Sequence, residues 1–143
     1  MNKRMREIKF RYVFEVGIDK HIEIVYFSLD ELENDSHKFY FKEQKHIKII
    51  SRDLFTGLKD KNGKEIYEGD IIRYISIINE AWNIYNFKPI FEIKFEQGAF
   101  GIDDIDRDKE IEFYPLYDTD TCQDVEVIGN IYENSELIKG EIR

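Results

Sequence analysis

The 143-residue sequence predicts a mainly β protein, in which a small closed barrel follows an N-terminal antiparallel sheet that carries one short helix. Eleven Phe and nine Tyr favour β-structure, because flat rings cover a pleated surface well. From residue 54 onward, short apolar runs alternate with turn signals, and such short strands hide their edges by closing into a barrel. We therefore expect two regions, residues 1–53 and residues 54–143.

The N-terminal region is expected to fold as strands with one helical turn. Residues 6–16 alternate polar and apolar side chains, which is the period of a half-buried strand. Ser28 and Glu31 have the spacing of a capping box, which predicts a short helix over 29–35. The remaining predicted elements are a turn at 17–19 and strands at 21–27, 39–41 and 47–50.

The C-terminal region is divided by turn signals. Asn62 and Gly63 predict a hairpin with a two-residue type I′ turn, which needs positive φ at both residues. Gly69 predicts a second tight entry into a strand. Asn134 is expected to cap a final helical turn over 135–139. The predicted strands are 64–67, 71–78, 91–95, 99–102, 111–114 and 125–132.

Four stretches carry a family resemblance. Residues 54–74, with three spaced glycines, resemble the signature of the YopX family of phage and prophage proteins. Residues 5–11, 91–100 and 127–137 are similar to the opening, middle and closing motifs of that family. The resemblance implies that the C-terminal barrel is SH3-like and that the setting is a bacterial host cell. It implies no catalytic residues, so we expect a noncatalytic accessory protein and not an enzyme.

Cysteine usage, hydropathy and charge limit the function classes. The single cysteine, Cys122, excludes an intrachain disulfide and a Cys-based zinc cluster, which suits the cytoplasm. No apolar run approaches the roughly 20 residues that span a bilayer, so no membrane association is expected. Residues 1–64 carry a net charge of +3 and residues 65–143 a net charge of −12. The resulting negative field disfavours nonspecific nucleic-acid binding. Simple solubility is the alternative explanation of the acidic charge.

The first candidate site is an acidic run that contains Asp104, Asp106 and Asp108. These three residues have the 1-3-5 spacing of an EF-hand loop, but Lys109 and Pro115 occupy the positions that need Gly and Glu. An EF-hand is therefore excluded, while a weak, irregular cation site stays open. Protection of a sheet edge by charge is the preferred interpretation. We expect no metal and no cofactor.

The second candidate site is the one basic cluster that lies near aromatic residues. Its members are Lys59, Lys61, Lys64 and Arg73, beside Phe55, Tyr67 and Tyr74. A lysine-rich hairpin tip is usually only solvated. With aromatic neighbours, however, it is also a pattern that contacts nucleic acid.

Two functions therefore remain. The leading hypothesis is a protein-binding adaptor whose acidic half binds a host or phage protein with a basic surface, in imitation of a nucleic-acid backbone. The alternative is a nucleic-acid-binding protein that uses the hairpin at 59–64. Homo-oligomers are compatible with either function.

Overall fold

The structure, a computed structural model, describes residues 7–34, 46–74, 90–96, 98–104, 114–115 and 124–138. This part of the chain is mainly β, with two antiparallel sheets and only short helices. The chain divides into two compact units, Met1–Gly57 and Leu58–Arg143.

The elements largely follow the predicted order. The strands are β1 (Lys9–Val16), β2 (His21–Ser28), β3 (Ile47–Lys59), β4 (Glu65–Tyr67), β5 (Asp70–Tyr74), β6 (Ile90–Glu96), β7 (Ala99–Asp104), β8 (Tyr114–Pro115) and β9 (Val125–Asn130). The helices are α1 (Leu29–Glu33) and α2 (Ser135–Ile138). Several predictions concern residues outside the described part of the chain. They are the strand residues 39–41, 75–78 and 111–113, together with Asp106, Asp108 and Cys122.

In the first unit, β1 lies between β2 and β3 and pairs antiparallel with both. Val13 and Phe14 point to opposite faces of the sheet, yet both are fully buried. The prediction of a half-buried strand is therefore wrong, because both faces of β1 are buried at these positions. On the Phe14 face, the ring of Tyr12 packs edge-on against Phe27, with centroids 5.1 Å apart.

The other face of β1 holds a buried ion pair. Arg11 and Asp53 are opposite each other in the β1–β3 register. The Arg11 side chain donates from Nε and Nη2 to Asp53 Oδ2, at 3.1 and 3.0 Å. Ser51 Oγ donates to Asp53 Oδ1 at 2.7 Å. These hydrogen bonds compensate for the removal of both charges from water.

The first helix begins at the predicted capping box. Glu31 N donates to Ser28 Oγ and Ser28 N donates to Glu31 Oε1, each at 3.1 Å. The helix ends at Glu33, earlier than predicted, and Asn34 N donates to the carbonyl of Asp30 at 2.9 Å.

In the second unit, β5 to β8 form a meander, and β9 returns to pair with β5. The resulting order is β8-β7-β6-β5-β9. The end of β3 pairs with β4, which completes the other sheet as β2-β1-β3-β4. A β-bulge interrupts the β5–β9 register between Ile71 and Ile72, and bulges increase the twist that curls a sheet. The core comprises Ile66, Ile72, Tyr74, Phe91, Ile93, Ile102, Val125 and Val127, with Leu58 packed against it.

Candidate functional site

Between β3 and β4, residues 61–63 form a three-residue hairpin loop that is closed by the Asp60–Lys64 pair. Asp60 N donates to the carbonyl of Lys64 at 2.8 Å, and Gly63 N donates to the carbonyl of Asp60 at 3.0 Å. Gly63 has φ of +80°, whereas Asn62 is not among the described residues with positive φ. The predicted type I′ turn is therefore wrong, because that turn needs positive φ at both residues. This loop places only its last residue in the left-handed region.

The carboxylate of Asp60 holds this loop in shape. Asp60 is only 6% exposed. Its Oδ1 accepts hydrogen bonds from the backbone N–H groups of Asn62 and Lys64, at 2.8 and 2.9 Å. An aspartate that accepts from residues just after it in the chain stabilises a turn in place of water. The carboxylate of Asp60 thus accepts hydrogen bonds from the backbone of this lysine-rich loop.

The same loop also binds the edge of β9. Asp60 Oδ2 accepts a hydrogen bond from Val127 N at 3.0 Å, and Lys61 N donates to the carbonyl of Val125 at 3.1 Å. Because β9 is the last strand in the sheet order, these two bonds satisfy groups on its outer edge. We call Asp60 and Lys61 together the β9 clasp.

The three predicted lysines lie on the surface of this loop. Lys59, Lys61 and Lys64 are all exposed. Within the described part of the chain, no carboxylate forms an ion pair with any of them. The structure therefore places all three predicted lysines at the surface, without an ion pair to another described residue.

The other two members of the predicted basic site are differently placed. Tyr67 is 2% exposed, and its hydroxyl donates to Glu65 Oε1 at 3.3 Å, so its ring is part of the interior. Arg73 Nη2 donates to Glu126 Oε2 at 2.9 Å, directly across the β5–β9 pair. Its charge is therefore neutralised locally. The basic surface reduces to the three lysines.

The acidic run begins at the end of β7. Asp104 is the last residue of that strand and lies opposite Phe91, while Asp103 lies opposite Glu92 of β6. The start of the acidic run therefore pairs with β6 in the sheet. Its later members, Asp106 and Asp108, lie outside the described residues.

The tip of the β6–β7 hairpin carries an aromatic pair that the sequence reasoning did not single out. Phe95 is 50% exposed and packs edge-on against Phe100, with ring centroids 5.0 Å apart. The two residues are opposite in register, next to Gly98, whose φ is +78°. The predicted strands 91–95 and 99–102 contained the needed signal, because a hairpin between them places these positions opposite each other. A half-exposed Phe at a hairpin tip is available to a partner.

The polar residues of the closing motif support a turn. Asn130 Oδ1 accepts from the backbone N–H groups of Tyr132 and Glu133, at 3.0 and 2.8 Å. Asn134 Oδ1 accepts from Asn130 N at 3.1 Å. Asn134 precedes α2 as predicted, but its side-chain oxygen accepts from the preceding turn. The absence of a side chain at Gly129 leaves room for this amide.

His21, at the start of β2, is held between two carboxylates. Nδ1 lies 2.8 Å from Asp19 Oδ1, and Nε2 lies 2.9 Å from Glu23 Oε1. The hydrogen bond with Asp19, followed by that with Glu23, raises the pKa of His21 above its usual value of 6.5. The imidazole can donate to both oxygens at once only when it is protonated.

The described residues contain no group of three or more His, Cys, Asp or Glu side chains that could hold a metal ion. Within the same residues, no helix is long and apolar enough to cross a membrane.

Comparison with known proteins identifies the family. The family model described as YopX protein matches residues 3–139, nearly the whole chain. The chain belongs to the YopX family.

No curated protein matches this YopX chain. It is similar to a solved structure, the crystal structure of protein EF1440 from Enterococcus faecalis. The two share 23% sequence identity, the match covers 92% of this chain and 97% of the other, and the TM-score is 0.46.

The signature stretches of the YopX chain therefore have a structural explanation. Asp60 and Gly63 shape the first hairpin loop, and Asp70 Oδ2 accepts from Tyr67 N at 2.8 Å beside Gly69. Gly69 itself donates to the carbonyl of Ile93 at 2.8 Å, so its predicted role at the entry to a strand is confirmed.

Proposed function

We propose that this YopX-family chain is a noncatalytic accessory protein of a phage or prophage, that it acts in the cytoplasm of the bacterial host, and that it binds another protein. The observation that carries the proposal is the Phe95–Phe100 pair at the tip of β6–β7, with Phe95 half-exposed. Aromatic side chains are enriched at protein interfaces and among the residues that dominate binding energy.

The scaffold of the second unit supports an SH3-like barrel in this proposal. The first strand of its meander, β5, pairs both with the next strand, β6, and with the last strand, β9. Short strands that curl are the material of small barrels, and the described order leaves β8 and β9 as the edges that such a barrel would bring together. In such a scaffold, the β6–β7 hairpin has a fixed position.

The expected partner is a host or phage protein with a basic surface. Glu92 is paired with Asp103 in the β6–β7 register, and the acidic run of the sequence continues from Asp104. Opposite charge speeds the encounter of two proteins, while a buried aromatic anchor slows their dissociation. Asn substitutions at Asp104, Asp106 and Asp108 should therefore slow association more than they speed dissociation.

Affinity isolation from lysogenic or infected cells tests the proposal with two matched variants. Phe95→Ser removes the aromatic anchor, whereas Ile18→Ser removes an apolar side chain that is 90% exposed at another turn. We expect a specific protein to be retained by the wild type and by Ile18→Ser, and at least about tenfold less by Phe95→Ser. Equal retention by all three proteins would show that the hairpin tip is not the contact.

The alternative function is tested separately. The purified chain is titrated with labelled duplex DNA and single-stranded RNA at 0.1 M salt. Submicromolar affinity for either would contradict an acidic adaptor, because a net charge of −9 opposes tight binding to phosphates.

A further inference from the structure

The loop between β3 and β4 presents charge of a single sign to solvent. Lys59, Lys61 and Lys64 are exposed, whereas Asp60, the only acid in residues 59–64, is buried. Residues 58–143 contain 10 Lys and Arg against 20 Asp and Glu. The loop is therefore a local positive feature on an acidic unit.

The backbone of the loop is committed to internal hydrogen bonds. The N–H groups of Asn62 and Lys64 bind the carboxylate of Asp60, and that of Gly63 binds its carbonyl. The N–H of Lys61 binds β9. The lysine ammonium groups and the side-chain amide of Asn62 remain to meet a ligand at these positions. Lysine acts as a point charge without the planar fork of arginine, which suits phosphates along a backbone and carries no base information.

We infer that Lys59, Lys61 and Lys64 form a contact for the phosphodiester backbone of duplex nucleic acid, independent of base sequence. The ring of Tyr67 is buried, so it offers no platform on which an unpaired base could stack. A single strand therefore gains nothing over a duplex at this surface.

The contact is weak and sensitive to salt. The net charge of −9 repels the duplex at long range. Two acidic residues are neighbours of the loop. Glu65 follows Lys64 in the chain, and Asp124 precedes Val125, whose carbonyl accepts from Lys61 N. The inference goes beyond protein binding, and it uses none of the residues that carry the proposed adaptor function. Either can therefore fail without the other.

The test uses the full chain and a short, mixed-sequence, labelled duplex, followed by fluorescence anisotropy at several salt concentrations. Each phosphate that a lysine neutralises adds about −0.9 to the slope of log K against log salt concentration. Three lysines predict a slope of about −2.7, or a loss of roughly 40-fold between 50 and 200 mM salt. No detectable binding at 50 mM salt would overturn the inference.

A charge-matched pair of variants separates the loop from the general field. Lys61→Gln with Lys64→Gln should reduce the slope by about 1.8. Lys20→Gln with Lys48→Gln changes the net charge equally at exposed sites of the first unit and should leave the slope unchanged. Equal effects of the two pairs would overturn the inference, since net charge alone would then govern binding.

Two further probes address other classes of ligand. Tighter binding of single-stranded DNA than of the duplex would overturn the inference in favour of base stacking. Tighter binding of a poly-glutamate peptide would overturn it in favour of an acidic protein segment. Asp124→Asn should strengthen duplex binding several-fold, because it removes a negative charge from the residue before Val125, whose carbonyl accepts from Lys61 N. No change would contradict the assigned location.

Discussion

Replacing Asp60 by alanine should lower the free energy of unfolding by about 3 kcal/mol. The carboxylate accepts hydrogen bonds from three backbone N–H groups, those of Asn62, Lys64 and Val127, at 2.8 to 3.0 Å. Alanine accepts none of them. The three N–H groups differ in whether water can replace the lost carboxylate.

The largest part of the loss comes from β9. The bond from Val127 N to Asp60 is buried, and a buried donor that loses its acceptor costs about 1–3 kcal/mol. Asn62 and Lys64 are exposed, so water can replace the carboxylate there, and each lost bond costs about 0.5 kcal/mol. About 2 kcal/mol at Val127 and about 1 kcal/mol within the loop give the total.

Urea unfolding measures the total, and amide hydrogen exchange locates it. The variant should reach its midpoint at lower urea with an unchanged m-value, since stability changes without a change in the surface exposed on unfolding. The Val127 amide should lose protection in Asp60→Ala. Amides of β6 and β7, away from the clasp, should lose protection only in proportion to the global loss of stability.

Lys61→Ala is the matched control. It removes an exposed side chain from the same loop but leaves the backbone N–H that binds Val125. Its effect should stay within about 0.5 kcal/mol. If Asp60→Ala costs no more than Lys61→Ala, or if the Val127 amide keeps its protection, then the clasp does not stabilise β9 and the argument is refuted.

Three further predictions concern single positions. Gly63→Val should cost about 1–2 kcal/mol, because a β-branched residue is strained at φ of +80°, while Gly63→Asn should cost less; equal melting midpoints would refute the turn assignment. Gly129→Ala should cost about 1–3 kcal/mol by urea unfolding, because the new methyl group would overlap the amide of Asn134; a neutral effect would contradict that packing. The raised pKa of His21 gives stability that is fully present below about pH 6.5 and is lost as pH rises through the folded-state pKa. His21→Gln should therefore flatten the decline of the melting midpoint above pH 6.5, and an unchanged decline would contradict the assigned contacts.

Local signals predicted much of the fold. The capping box at Ser28 and the positive φ of Gly63 and Gly69 depend on residues close in sequence, and all three are found. The alternation in residues 91–95 likewise corresponds to β6. Each of these features is settled within a few residues, so a single sequence contains the whole cause.

Features that depend on distant pairing could not be predicted in this way. Arg11 occupies a polar position in an alternating pattern, but it is buried because Asp53, 42 residues later, lies opposite it. The strand predicted at 47–50 is part of a longer strand, β3, whose residues 47–54 pair with β1 across a bulge. Strand pairing of this kind is set by the whole sheet.

The role of Asp60 could not be predicted from the sequence, for the same reason. In sequence it is one acid among three lysines, which is typical of a solvated turn. Its second acceptor role involves Val127, which is 67 residues away. No local sequence pattern indicates that this hydrogen bond forms.

The clasp and the positive surface are consequences of the same side chain. Because both oxygens of Asp60 accept from backbone N–H groups, its charge faces inward, and the exposed lysines beside it form no ion pair with a described residue. Asp60→Asn would remove one negative charge, yet its amide would place a donor against one of these N–H groups and loosen the loop. We therefore expect Asp60→Asn to lower stability without strengthening duplex binding, whereas Asp124→Asn should strengthen binding without releasing β9. Opposite results for the two variants would mean that charge alone, and not the inward orientation of Asp60, makes this loop positive.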